Sequence, residues 1–540
     1  MPTLSWIGKE KVINHHREVP FKILEHKYSF SADIGESEEP VNNGNKIIHG
    51  DNLEALKSLL PEYEGKIKCI YIDPPYNTGN ENWVYNDNVN HPKIRKWLET
   101  TLKAKENGKE AIIGIDDLAR HDKWLCMMYP RLQLIHKLLD KNGVLFISID
   151  DNEQANLRLI CNEIFGQSSF ITSFVWRRRA SSQLSQNFIS VDHEYVFALT
   201  KKETIFNGFK KDYRNYSNPD NDPKGPWTLG DLTVGMTKDQ RPNQYFDLTD
   251  PLTGNIYHPN AKRVWTYFPE TMETKIREGR VVFPKNDKGK PMYKRYLNEL
   301  KTDINPISSW LSNEAYQIGL NSEGTKVIQE LFEGKVFDYP KPISLISLLV
   351  SQVTKENDIV LDSFAGSGTT AHAVLNLNKL DGGNRKFILV EMEDYADSIT
   401  SERVKRVIKG YADKKGTGGS FDYYELGKPL FIGENSEFLN EEVGTDKIRE
   451  YIWYSETRTA WGKPDLKKET QYFLGKKDGT AYYFIYEKEI LTTLDYDLLS
   501  TIKSKAGQYV IYADNCLLAK DFMMKHNIIF KKIPRDITRF

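Results

Sequence analysis

The chain has 540 residues, 39% hydrophobic and 28% charged, which is the composition of a folded chain with more than one domain and excludes a disordered or fibrous protein. The formal net charge of −1 leaves bulk charge with no case for nucleic-acid binding. No apolar run approaches the ~20 residues of a bilayer crossing, the N-terminus has no apolar signal core, and Cys69, Cys126, Cys161 and Cys516 lack CxxC spacing. This excludes a disulfide framework or a zinc module and predicts a cytoplasmic protein with reduced, mostly buried thiols and no metal site.

Residues 1–45, polar with scattered Gly, Pro and Glu, read as an irregular N-terminal arm. Lys46-Ile47-Ile48-His49 is a short strand, Gly50-Asp51-Asn52 punctuates it, and Leu53 to Leu60 continues as a helix. Cys69-Ile70-Tyr71-Ile72 is a buried strand that two prolines stop at Asp73-Pro74-Pro75-Tyr76. Leu132, Ile135, Leu138 and Leu139 share a helical face, with Gly143 as the expected cap. Val144-Leu145-Phe146-Ile147-Ser148-Ile149 is a continuous apolar strand. Alternating helices and fully apolar strands predict a parallel sheet covered on both faces.

After Phe170 the composition turns to Asn, Asp, Pro, Gly and aromatics, so residues 171–309 read as an inserted, loop-rich module. From Ile171 to Lys301 there are 22 Lys and Arg against 15 Asp and Glu, a local excess suited to a phosphate-facing surface. The α/β pattern then resumes with a helix over Ile343–Val353 and a strand, Ile359-Val360-Leu361, ending at Asp362. Ser363 to Gly368 is a small-residue turn and Thr369 to Leu377 a helix. Phe387-Ile388-Leu389-Val390 is a strand ending at Glu391, and a basic helix follows from about Ala396 to Lys409. Gly416 to Ser420 reads as a linker, and the aromatic run Ala481 to Tyr486 as a strand of a separate small α/β domain over residues 416–540.

Two motifs carry chemistry. At Asp362 to Gly368 a strand ends in small residues and a helix begins at once, so backbone N–H groups can approach a ligand closely. The turn has no Gly-Lys-[Ser/Thr] ending, which excludes a phosphate-cradling P-loop, and no third glycine in dinucleotide spacing. Glu391, 29 residues after Asp362, ends the next strand, where a carboxylate suits the hydroxyls of a ribose. At Asp73-Pro74-Pro75-Tyr76 the chemistry suits an exocyclic amine. Its lone pair is delocalised into the ring, and two acceptors, the Asp73 carboxylate and the Pro74 carbonyl, localise and aim it. Proline at position 75 constrains that carbonyl, and Tyr76 offers a flat face for a base. The two motifs lie 289 residues apart and flank the basic module.

Ile72-Asp73-Pro74-Pro75-Tyr76-Asn77-Thr78-Gly79 resembles the catalytic motif of amino-methylating DNA methyltransferases. Asp362-Ser363-Phe364-Ala365-Gly366-Ser367-Gly368-Thr369-Thr370 resembles their S-adenosylmethionine (SAM) loop, and the order of the two is the permuted one of the β group. The resemblance is nearest to modification subunits of type III restriction–modification systems and spans roughly residues 45–410. It is carried also by His49 to Leu56, Tyr85-Asn86-Asp87-Asn88, Ser148 to Glu153, Trp176-Arg177-Arg178-Arg179 and Val191 to Tyr195. It implies an α/β fold: a Rossmann-like SAM-dependent methyltransferase sheet in permuted order, split into a catalytic half (46–170) and a SAM-binding half (310–415). The target-recognition domain is inserted at 171–309. It implies transfer of a methyl group from SAM to N6 of a flipped adenine in double-stranded DNA. Asp73, Pro74, Pro75 and Tyr76 are the implied catalytic residues. Asp362, Phe364, Ala365, Gly366, Gly368 and Glu391 would hold SAM, Asp51 would contact its adenine, and Lys341 would help close its pocket. Arg177, Arg178 and Arg179 would touch phosphate. Implied partners are a second copy, as a homodimer, and a helicase-nuclease restriction subunit, since this sequence carries no P-loop.

Four other readings stand beside this one. Cytosine C5 methylation needs a Pro-Cys nucleophile, and no such pair is present. N4-cytosine methylation is chemically close and stays open. A protein or RNA methyltransferase is disfavoured by the basic insert and the permuted order, and a catalytically silent DNA-binding scaffold by the intact Asp73, Tyr76 and loop glycines.

Overall fold

The strands marked as wholly apolar lie side by side in one eleven-stranded sheet. The computed structural model describes residues 3–78, 115–181, 188–285, 289–433, 437–465 and 469–539; Gly79, Asn80 and the Tyr85–Asn88 run fall outside these. The strands of the sheet are β1 (Lys22–Ser31), β2 (Gly35–Ser37), β3 (Lys46–His49), β4 (Ile67–Ile72), β5 (Leu139–Ile149), β6 (Phe170–Arg177), β7 (His193–Thr200), β8 (Trp310–Leu311), β9 (Ile359–Asp362), β10 (Lys386–Glu391) and β11 (Ser420–Pro429). Their spatial order is β8-β6-β7-β5-β4-β9-β10-β3-β11-β1-β2. From β5 to β11 every neighbour is parallel. At one flank β7 runs antiparallel to β5 and β6, and at the other β1 runs antiparallel to β11.

Parallel strands covered on both faces need apolar side chains at every position. In β4, Ile70 and Ile72 join one core with the helices α1 (Asn52–Tyr63) and α2 (Ile115–Leu138), while the alternate Cys69 and Tyr71 are buried outside that cluster. The helices α3 (Gln154–Phe165), α4 (Ile343–Val353), α5 (Thr369–Asp381) and α6 (Glu402–Lys409) complete the covering, with α4 packed on α5. The strand spans 46–49, 359–362 and 387–391, the helix over 343–353 and the start of α5 stand where the sequence places them.

Five expectations are corrected. Residues 1–45 are not an irregular arm, because β1 and β2 extend the sheet. The inserted unit is residues 207–307, not 171–309, because β6 and β7 hydrogen-bond to β5 and so belong to the sheet. The boundary at 416 does not separate a domain: β11 pairs with β3, and the helix Thr445–Thr457 buries Ile448, Tyr451 and Ile452 in the core that holds Leu56 and Leu59. Gly143 caps no helix. It lies within β5, where a Cβ would sit 2.8 Å from the Ile67 carbonyl oxygen, so close strand packing requires the glycine. The helix expected from Ala396 opens instead with a wider π-helical turn, Ala396–Ser401, before α6.

The last segment carries a four-stranded sheet of Phe473–Lys477, Thr480–Phe484, Gln508–Ala513 and Ile528–Lys532. The 207–307 unit has its own core of Leu232, Leu248, Trp265 and Met272 and a three-stranded sheet. Its two ends, Phe209–Lys210 and Ile304–Asn305, pair as antiparallel strands. Cys69, Cys126 and Cys161 are buried thiols outside any disulfide, and Cys516 is half-buried. Among the described residues no helix is long and apolar enough to cross a membrane.

Candidate active site

Strands β4 and β9 are hydrogen-bonded neighbours, with Cys69 opposite Val360 and Ile70 opposite Leu361. Their C-terminal tips therefore emerge side by side, although the sequence separates them widely. Both open into one cavity of about 920 Å³. Asp73, Pro74, Pro75 and Tyr76 line one part of it, Asp362 to Gly366 and Glu391 another, and Lys341, Arg178, Arg179 and Glu194 lie along its wall.

Hydrogen bonds fix the proline corner from behind. The Trp124 indole N–H donates to the Pro75 carbonyl at 2.7 Å. Asn77, in the left-handed region at φ 60°, donates to the buried Glu153 carboxylate, which His121 also contacts. Pro74 lines the cavity, and among the described residues no hydrogen bond reaches its carbonyl. Lys341 Nζ donates to both Asp73 oxygens, at 2.8 and 2.7 Å, and lies 4.9 Å from the centre of the Tyr76 ring. Burial pushes the Asp73 carboxyl above its usual range, and the Lys341 ammonium works against that rise.

The small-residue turn is held just as fully. The Asp362 carboxylate accepts from the Phe364 N–H at 3.0 Å and from the Thr370 hydroxyl at 2.5 Å. Glu391 accepts from the N–H groups of Gly366, Met392 and Glu393 at 2.7, 2.9 and 3.0 Å. A carboxylate has about four acceptor directions; three are taken by these N–H groups and the Tyr395 hydroxyl also bonds to Glu391, so the two that the sequence reading supposed are not both open. Burial raises both acids, Asp362 to about 7 and Glu391 to about 7. Gly366 has φ 52° and Gly368 φ 80°, and a Cβ on Gly368 would meet the Thr400 carbonyl oxygen at 3.1 Å. Gly368 thus serves close packing and does not line the cavity, whereas Phe364, Ala365 and Gly366 do. Arg403, fully buried, donates to the Ser367 and Thr369 hydroxyls from behind.

Three expected residues sit differently. The Asp51 carboxylate caps α1, accepting from the N–H groups of Leu53 and Glu54, and does not line the cavity. Its neighbour Asn52 does: its amide donates to the Ser363 carbonyl, and Arg131 holds its oxygen. The Lys341 backbone carbonyl accepts from the Thr369 hydroxyl at the start of α5, while its ammonium reaches Asp73. Arg178 is bonded to Glu194 at 3.0 Å in the cavity wall and is not a free surface cation, whereas Arg177 is exposed.

Residues 67–402 match the N6/N4 DNA methylase family. The chain belongs to that family. The methylase is similar to the StyLTI Mod subunit of a type III restriction-modification enzyme from Salmonella typhimurium, 34% identical over 72% of this chain and 61% of that one. It is also similar to the EcoPI Mod subunit of Escherichia phage P1, 31% identical over 75% of this chain and 68% of that one. The EcoP15I Mod subunit of Escherichia coli is 28% identical over 85% of this chain and 77% of its own length. The methylase thus spans about three fifths of the first of these relatives.

Sequence reasoning missed Glu194, Trp124, Arg131 and Arg403 as parts of the methylase's site. Glu194 stood in a run noted only for its resemblance, and the others carried no local signal.

Proposed function

We propose that this chain is a site-specific DNA adenine-N6 methyltransferase, the modification and recognition subunit of a type III restriction–modification system. The observation that carries the reading is the shared cavity: the Asp73 carboxylate and the Gly366 turn face one space from adjacent strands. Asp73 and the Pro74 carbonyl each accept one N–H of the target amine, which localises the nitrogen lone pair. Tyr76 stacks on the base. The adenine must first leave the duplex, at a cost of a few kcal/mol.

The residues present suit SAM. A Cβ on Gly366 would fill the turn beside Phe337, at 3.3 Å from its ring. Bound there, SAM supplies an electrophilic methyl group. Glu391 takes one ribose hydroxyl, and Asn52, in place of Asp51, borders the site. The 207–307 unit is the target-recognition module, with Arg177 and Arg179 as phosphate contacts at the rim. A homodimer and a helicase-nuclease partner complete the assembly, by analogy with subunits of the type that the chain resembles.

Duplex DNA treated with the purified protein and SAM, then read by methylation-sensitive sequencing and nucleoside mass spectrometry, tests this. N6-methyladenine within one short motif is expected. Methylcytosine alone would overturn the substrate, and unmodified DNA the activity. The Tyr76→Ala variant should lose on the order of a hundredfold in turnover.

A further inference from the structure

Four charges are paired around the proline corner, the carboxylates of Asp73 and Glu194 and the cations of Lys341 and Arg178, with the Asp150 and Asp362 carboxyls further along the same cavity. Glu194, on β7, is buried at 3% exposure. Its two oxygens accept from Arg178 at 3.0 Å and from the Tyr76 hydroxyl at 3.0 Å. Lys341 Nζ lies 3.8 Å from the Glu194 oxygen that holds Tyr76. The same ammonium donates to both oxygens of Asp73, the acceptors that an incoming amine requires. An alkylammonium there presents N–H donors as the target amine does, so base and lysine compete for one carboxylate.

We propose that Lys341 is a placeholder on Asp73 that moves to Glu194 when the flipped base arrives, and that Glu194 is the positioning residue which receives it. The inference rests on the amine-methylating reading above. A buried ammonium cannot leave one carboxylate without another to pair with. Glu194 is the second carboxylate within a short swing, and the four-charge set stays neutral throughout. The Tyr76 hydroxyl shares the receiving oxygen, so the arrival of Lys341 also fixes the ring on which the base stacks.

Charge balance makes the test sharp. Glu194→Gln keeps one acceptor oxygen for Arg178 and turns an amide N–H towards the Tyr76 hydroxyl, which can accept it, but leaves the set with one excess positive charge and no seat for the displaced lysine. Its turnover should fall on the order of a hundredfold, with SAM affinity unchanged. Adding Lys341→Met restores neutrality and removes the competitor. The double variant, assayed at alkaline pH where Asp73 stays ionised, should recover at least tenfold over Glu194→Gln alone. If Glu194 only props up Tyr76, the second substitution will rescue nothing, and the placeholder idea is wrong; it is wrong also if Glu194→Gln turns over like the parent. Wild-type protein that methylates no adenine would instead defeat the underlying reading, so the two failures are distinct.

Discussion

Glu391 and Asp362 end neighbouring strands, and among the described residues neither forms an ion pair. Burial raises both to about 7. An acid with a raised folded-state pKa binds its proton more tightly in the fold than in the unfolded chain. The ligand-free protein should therefore lose stability as pH rises from about 4 through about 7, and the loss should level off above. A cationic donor reverses the preference, since it favours both carboxylates ionised. SAM affinity should climb towards pH 7 and then flatten, with release of up to about one proton per carboxylate. Titration calorimetry in two buffers of different ionisation enthalpy measures that release, and an affinity flat across the range would contradict it. Gly368 makes a separate prediction. Alanine at φ 80° costs roughly 1–2 kcal/mol for its left-handed backbone, before the contact with Thr400 is counted. Gly368→Ala should lower the denaturation midpoint, and Gly366→Ala, which meets the same backbone cost at φ 52° but faces the cavity, should lower it and weaken SAM binding as well. Asp73, Tyr76, Gly366 and Glu391 were legible in the sequence because each sits where a recognisable apolar strand ends. The Asp73–Lys341 pair was not, because 268 residues separate its members and no local pattern announces a tertiary ion pair.

At the scale of elements, the sequence reading succeeds where a strand is apolar throughout and fails where it is mixed. Lys386–Glu391 is legible because both of its faces are buried. Phe170–Arg177 and Ser420–Pro429 mix aromatics with Ser, Thr, Arg and Asp, because antiparallel flanks and outer strands leave some side chains half exposed. Composition therefore assigned the first to the insert and the second to a separate domain. Glycine at 143 misled for another reason, since a close backbone approach inside a strand looks like a helix stop when only order along the chain is known. These errors have a measurable consequence. A chain cut after Lys415 loses β11, which lies between β3 and β1, and loses the Ile448–Ile452 face of the core. It should be insoluble or unfolded by circular dichroism. Had residues 416–540 been an independent domain, the shortened protein would fold and bind SAM.

For the whole molecule, the boundary at 206/207 changes what can be removed. The strand β7 must stay, because Glu194 lies on it and its backbone closes the sheet beside β5. The 207–307 unit has its own core, and its ends enter and leave as paired strands, Phe209 opposite Asn305. Chain ends that lie side by side can be joined by a short Gly/Ser linker with little loop-closure cost. The unit carries 17 Lys and Arg against 13 Asp and Glu, and the three arginines at 177–179 lie outside it. Its excision should therefore separate two properties. The shortened protein should melt cooperatively and bind SAM like the parent, since every residue named around the cavity lies outside the excised stretch. It should lose discrimination between target and non-target duplexes, because base-edge contacts confer specificity while phosphate contacts do not. The residual, non-specific binding should keep a salt dependence set by the remaining cations. Equilibrium binding at several salt concentrations, on duplexes with and without the modified motif, checks both parts. Retained discrimination would place sequence reading in the 1–206 and 308–540 portion, and a protein that no longer folds would show that the insert stabilises the sheet.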